Sequence, residues 1–176
     1  MSTIRVAWGT GTGPTEMSSY DAALADANLH NYNLVAVSSV IPADTEIEAV
    51  GTAPDLGPAG ERLTVVQARA TCVGPGRVSA ALGWSTSDGE SGGEEAESRG
   101  DESEDESGPG LFYEAADETD PEDVAERVRT GLAAGRELRD WAFTDERIRT
   151  ADVHAEPGTF ATAVVVAAYG ESEPIC

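Results

Sequence analysis

Apolar and polar residues alternate across 4–8 (IRVAW), the period of two that a half-buried strand requires. Segments 33–37, 63–71, 77–84, 111–115, 147–154 and 159–169 also read as strands, with Val, Ala and aromatic residues between turn-forming clusters. One stretch has a helical period instead. Over 121–141, Val124, Val128, Leu132, Gly135 and Leu138 fall with neighbouring alanines on a single face. Its ends carry the matching chemistry. Asp120 caps it, Pro121 takes the first turn, Glu122 and Asp123 complement the dipole, and Arg136 and Arg139 close the last turn. A shorter helix, capped by Ser18 or Ser19, runs through Asp21, Ala22, Ala23, Leu24 and Ala27 to Leu29. Residues 9–14 (GTGTGP) read as a loop. Without GxGxxG or Walker spacing they make a plain turn rather than a phosphate cradle. Seven strands and two helices without regular βαβ alternation predict one α+β domain, 1–176, with a largely antiparallel sheet.

Charge then narrows the function. Thirty-three acidic residues stand against eleven basic ones, a formal charge of −22, and every basic residue is arginine. The missing lysine excludes an internal aldimine to pyridoxal phosphate, a P-loop lysine and a lysine nucleophile. The negative charge excludes nucleic acid and anionic membrane as partners, because both need a cationic surface. Such composition suits a salt-rich cytoplasm, where screening over a few ångströms tames self-repulsion. Segment 87–108 holds ten acids, one arginine and a lone alanine as its apolar side chain, so it reads as a disordered acidic insertion. Its carboxylate spacing matches no EF-hand loop. Cys72 and Cys176 form neither a disulfide framework nor a metal motif, and no metal is expected. The start, MSTIRVAWG, lacks a charged region followed by an apolar one, so a cytoplasmic location is expected.

The chemistry concentrates in 31–46, NYNLVAVSSVIPADTE, where an apolar strand runs straight into Ser38-Ser39. Taken alone, paired hydroxyls at a strand end supply turn and capping hydrogen bonds. A conventional serine hydrolase is absent from the pattern: there is no GxSxG elbow, and His30 and His154 are the two available imidazoles.

The segment 33–42, NLVAVSSVIP, follows a helix of YD-A-L type and precedes Pro42-x-x-x-Glu46-Ile47. Further on come Gly110-Leu111-Phe112-Tyr113-Glu114, then Arg139-Asp140-Trp141 at a helix end, then an apolar C-terminal strand. In this order the elements resemble the pyruvoyl-dependent arginine decarboxylases of archaea over nearly the whole chain, with 87–108 as a departure. The resemblance implies a layered αββα sandwich and a homotrimer of cleaved protomers whose active sites are shared across interfaces.

It also implies a mechanism. The Ser39 hydroxyl attacks the Ser38 carbonyl, converting amide to ester. Elimination releases Ser38 as a carboxyl terminus, and the resulting dehydroalanine takes up water and loses ammonia to leave a covalent pyruvoyl group at 39. Fragments 1–38 (small, β) and 39–176 (large, α) result. Arginine then forms a Schiff base with that group and leaves as agmatine and CO2, without pyridoxal phosphate. By position, Asn33 polarises the scissile carbonyl, Glu114 returns a proton to the α-carbon, and Asp21 binds the substrate guanidinium. Two other readings use the same residues: an inactive cation- or polyamine-binding paralogue, and a pyruvoyl decarboxylase for another amino acid.

Overall fold

In a computed structural model, which describes residues 2–89 and 107–176, two sheets stack face to face between two helices. The chain order is β1 Ser2–Gly13, α1 Glu16–Asp26, β2 Asn33–Ala36, β3 Val40–Ile41, β4 Thr45–Gly51, β5 Arg62–Val73, β6 Gly76–Asp88, β7 Ser107–Asp117, α2 Pro121–Glu137, β8 Arg147–Ala155 and β9 Phe160–Tyr169. One sheet has the order β2-β5-β9-β1-β4 and the other β3-β7-β6-β8. The second is antiparallel throughout. The first is parallel at β1–β4 and β2–β5 and antiparallel elsewhere. This is the expected α+β, αββα arrangement.

Strand alternation divides the apolar residues among three clusters. Ile4, Val6, Val66, Val165, Leu82, Trp84 and Phe112 meet between the sheets. Ala7, Val65, Val164 and Val166 face the other way, under Ala23, Leu24 and Ala27 of α1. Ala81 and Leu111 pack beneath Val124, Val128 and Leu132 of α2. Each fully buried aliphatic or Phe side chain contributes about 1.5–3 kcal/mol, so the central cluster dominates the apolar stabilisation. Beneath α1 a chain of hydroxyls stays satisfied: Ser19 Oγ meets Thr162 Oγ1 at 2.7 Å, and Thr162 meets Thr71 Oγ1 at 2.6 Å.

The sequence expectations differ from the structure at several points. Residues 9–13 are not a loop but the second half of β1, paired with β9 from Gly9↔Val164 to Gly13↔Phe160. The reason is packing. Gly9, Gly11 and Gly13 lie on one strand face directly under α1, and a Cβ on any of them would collide with that helix. The α1 cap is Thr15, whose hydroxyl accepts the Ser18 N–H in a capping box; Ser18 occupies the third helical position and Ser19 is buried. The helix stops at Asp26, because Asn28 takes a left-handed conformation (φ 59°). In α2 the cap at Asp120 and the apolar face are as read, but the helix ends at Glu137. Leu138, its C-cap, is 80% exposed rather than part of that face. Strands β3 and β4 add to the seven read from the pattern. β4 is an acid-lined edge whose Glu48 pairs with Arg5 at 3.4 Å. The expected disordered insertion at 87–108 begins and ends in order. Ser87 and Asp88 finish β6, with Ser87 Oγ donating to Pro109 O at 2.6 Å, and Ser107 and Gly108 open β7; 90–106 lies outside the described residues.

Candidate active site

The two sheets are joined at one edge by a short crossover, and that crossover is the serine pair. β2 pairs with β5 across Asn33↔Arg62 to Ala36↔Val65, and the Val37 N–H still donates to Val65 O at 3.0 Å. Two residues later the chain belongs to the other sheet. Ser39 O accepts the Phe112 N–H at 2.8 Å, and Val40 and Ile41 pair with Leu111 and Gly110. Ser38 is exposed and Ser39 half-buried. Flanking them, Val35, Val37 and Val40 are 44%, 43% and 45% exposed, an apolar strip around two hydroxyls.

Glu114 follows Phe112 by two residues on β7 and therefore projects from the same face of the sheet, the face turned toward the other sheet. Because β3 begins only at Val40, opposite Leu111, β7 is an open edge at Glu114, and the carboxyl is solvent-facing on one side. Ser39 Oγ donates to Glu114 Oε2 at 3.4 Å, a long contact of the kind that tightens as chemistry proceeds. Partial burial raises the Glu114 pKa above its ordinary value, since water is withdrawn from the charged form. The Ser39 hydroxyl and a backbone N–H pull the other way without cancelling the rise.

Tyr169, the last residue of β9, closes the group. Its hydroxyl donates to Val40 O at 3.2 Å, and its ring meets Phe112 edge-on, centroids 6.2 Å apart. Burial, aided by the negative charge of Glu114, pushes its pKa to about 12. One edge thus assembles a hydroxyl next to a peptide carbonyl, a carboxyl with raised proton affinity, and two donors on the carbonyls of residues 39 and 40. These parts suit an intramolecular acyl shift followed by proton transfer at carbon. They also fit a carbonyl group generated at residue 39, because the Phe112 N–H already polarises the adjacent carbonyl oxygen.

The other expected residues lie elsewhere in the protomer. Asn33 Nδ2 donates to Gly60 O at 2.6 Å. At ~3.3 Å per extended residue, Asn33 stands about 13 Å back along the strand from Val37. Asp21 is exposed on α1, with the five-stranded sheet between that helix and the strand of Glu114. His30 and His154 are both exposed. Cys72 is buried, which pushes its thiol pKa up, and it is unpaired, as is exposed Cys176. Among the described residues no group of three His, Cys, Asp or Glu side chains is placed to hold a metal ion, and no helix is long and apolar enough to cross a membrane. Two parts of the site were missed in the sequence. The Phe112 N–H is a backbone group with no residue-type signal, and Tyr169 showed only as the end of an apolar strand.

Comparison with known proteins gives a consistent picture. The family model described as pyruvoyl-dependent arginine decarboxylase matches residues 3–174. A protein of that name from Halobacterium salinarum is 55% identical over 175 residues, spanning 99% of this chain and 98% of the relative. Those from Pyrococcus horikoshii and Pyrococcus abyssi are each 31% identical over 160 residues, with 89% of both chains covered.

Proposed function

This chain belongs to the pyruvoyl-dependent arginine decarboxylase family, and we propose that Ser39 is the source of its pyruvoyl group and Glu114 its proton donor. The protein is a carboxy-lyase that converts L-arginine to agmatine and CO2. The observation that carries the residue assignment is the single edge on which Ser39 Oγ faces Glu114 at 3.4 Å while the Ser39 carbonyl rests on the Phe112 N–H.

Self-cleavage is written on the chain's own atoms. Ser39 Oγ bonds to the Ser38 carbonyl carbon, the C–N bond between residues 38 and 39 breaks, and the hydroxyl proton ends on the released nitrogen. Loss of the Ser39 α-proton then expels the Ser38 carboxylate from Cβ. Charge developing on the Ser39 carbonyl oxygen in that step is stabilised by the Phe112 N–H, in the manner of an oxyanion donor. Water then adds to the α-carbon of the dehydroalanine and the residue-39 nitrogen leaves as ammonia; the resulting pyruvoyl group supplies an electron-accepting carbonyl in place of pyridoxal phosphate. Glu114, with its raised proton affinity, delivers a proton to the substrate α-carbon after CO2 has left. Phe112 continues to hold the carbonyl next to the reacting one.

Fragments 1–38 and 39–176 assemble as a homotrimer whose sites are shared between protomers. The exposed Val35, Val37 and Val40 beside the serine pair support this reading, since burying them needs a neighbour. So do Met17, 65% exposed, and Asp21, one helical turn apart on α1. In the assembly Asp21 binds the substrate guanidinium from an adjacent protomer, where a carboxylate matches a forked cation. Asn33, with its amide on Gly60 O, acts by fixing the start of β2.

Denatured intact mass tests the processing assignment. Two fragments meeting at 38/39 are expected, and Ser39→Ala leaves one full-length chain that releases no CO2 from arginine. A purely full-length parent, or a Ser39→Ala variant that cleaves normally, refutes the assignment.

A further inference from the structure

Residues 39 and 40 carry consecutive carbonyls, and the fold ties each to a different sheet. Ser39 O accepts from the Phe112 N–H of the four-stranded sheet at 2.8 Å, and Val40 O accepts from the Tyr169 hydroxyl of the five-stranded sheet at 3.2 Å. We propose that Tyr169 is a positioning residue for self-cleavage: by holding the Val40 carbonyl it fixes the 40–41 peptide and, with the Phe112 bond on the 39–40 peptide, sets the backbone that aims the Ser39 hydroxyl at the Ser38 carbonyl. This rests on the reading that Ser39 is the attacking residue.

The step needs orientation more than it needs a strong catalyst. Oγ must reach the carbonyl carbon of the preceding residue, and rotation about the bonds flanking Cα of residue 39 decides whether it does. The crossover is short, its Ser38 is exposed, and it leaves the β5 ladder before it joins β7. Left to itself such a segment spreads over many backbone states, most of them unreactive. The Phe112 bond orients the residue-39 carbonyl, and the Tyr169 bond orients the next one. Together they remove rotations on the C-terminal side of the reacting residue.

Tyr169 is itself rigidly placed. Its backbone pairs with Ile4 in the β1–β9 ladder, and the following N–H, that of Gly170, donates to Thr3 O at 3.0 Å. Its ring stands edge-on to Phe112, which in turn stands edge-on to Trp84 with centroids 6.3 Å apart. The residue that supplies the amide donor therefore also braces the phenol. Tyr169 neither gives nor takes a proton in the cleavage, and its hydroxyl keeps its proton well beyond neutral pH, with a pKa of about 12. A permanently protonated donor suits positioning and not acid–base work.

Tyr169→Phe removes the hydroxyl and keeps the ring. In the full chain, self-cleavage followed by denatured intact mass is expected to be about tenfold slower, the scale of one well-placed hydrogen bond. The melting temperature, compared in a Ser39→Ala background so that both chains are uncut, is expected to stay within about 3 °C, a change of under roughly 1.5 kcal/mol. Parental cleavage kinetics in Tyr169→Phe overturn the inference and leave the Ser39 assignment standing; a parent that never cleaves overturns both. Should Tyr169→Phe lose its fold, 3-fluorotyrosine at 169 carries the test. It has nearly the same shape with a stronger O–H donor, and it is expected to cleave about twofold faster, on the scale of a small gain in one hydrogen bond. An unchanged rate there overturns the inference. A purely structural role would not track donor strength.

Discussion

Gly11→Ala puts the packing of α1 on β1 to a quantitative test. A Cβ built at position 11 would sit 2.6 Å from both the carbonyl carbon and the Cβ of Ala22 and would collide with the Ala23 backbone nitrogen. Carbon–carbon contacts are comfortable at about 3.5–4.0 Å, so α1 must retreat by roughly 1 Å. The obstacle is helix backbone and not a mobile side-chain tip, so the shift is a rigid displacement. A gap of that size forfeits about a quarter to a half of the dispersion attraction along the interface. Ala23, Leu24 and Ala27 are buried there. The overpacking itself costs about 1–3 kcal/mol, and with the loosened α1 contacts the total reaches roughly 2–4 kcal/mol. For a chain of this size each kcal/mol moves the melting temperature by about 2–4 °C, which gives a drop on the order of 5–15 °C. Gly76→Ala is the matched control, because its nearest neighbour to a new Cβ is Cys72 Sγ at 3.6 Å, an ordinary contact. Removing a glycine there is expected to be neutral or stabilising by up to about 1 kcal/mol. Thermal melts of both variants in the Ser39→Ala background provide the measurement. A Gly11→Ala melting temperature within about 2 °C of the parent, where the same scaling gives at most ~1 kcal/mol, would refute the close-approach reasoning.

Glu114 binds its proton more tightly than an ordinary carboxyl, so turnover is expected to fall as pH rises through that raised pKa; stopped CO2 assays across pH on cleaved enzyme check this. Glu114→Gln is expected to lower kcat by about 10²–10⁴ and to flatten that limb, and a variant with parental kcat would remove Glu114 from the mechanism. The same raised pKa has a stability consequence. Between the unfolded and folded values the native state holds more protons, so this group's contribution declines as pH rises across that window, and Glu114→Gln is expected to abolish the slope in pH-dependent melts. Asp21→Asn is expected to raise KM for arginine about tenfold or more with a smaller change in kcat, since a charged hydrogen-bonding partner of the guanidinium is lost; an unchanged KM would exclude that contact. With a formal charge of −22, the fold is expected to gain stability as salt shortens the screening length from ~10 Å at 0.1 M to ~3 Å at 1 M. Melting temperatures that do not rise across a sodium chloride series would contradict it.

Local chemistry made part of this molecule legible. Asp120, Pro121 and the apolar positions from Val124 to Gly135 specify α2, because capping and periodicity act within a few residues. Ser38-Ser39 and the Glu114 strand stood out as an ordered set of motifs and led to the family that the comparisons bear out. Residues 9–13 misled for a physical reason. Alternating glycines usually mark a turn, and whether they instead clear space for a helix depends on where that helix lies. The extent of β3 and the edge position of β4 likewise depend on their partners, β7 and β1. The site is decided still more globally. Ser39 and Glu114 are 75 residues apart, and Val40 and Tyr169 are 129 apart. No local signal measures such separations. They close because the alternation of strand side chains stacks two sheets on one apolar cluster, and because the crossover between their edges is where the serine pair falls. The sequence alone determined which groups could react; the stacking of the sheets decided which of them meet.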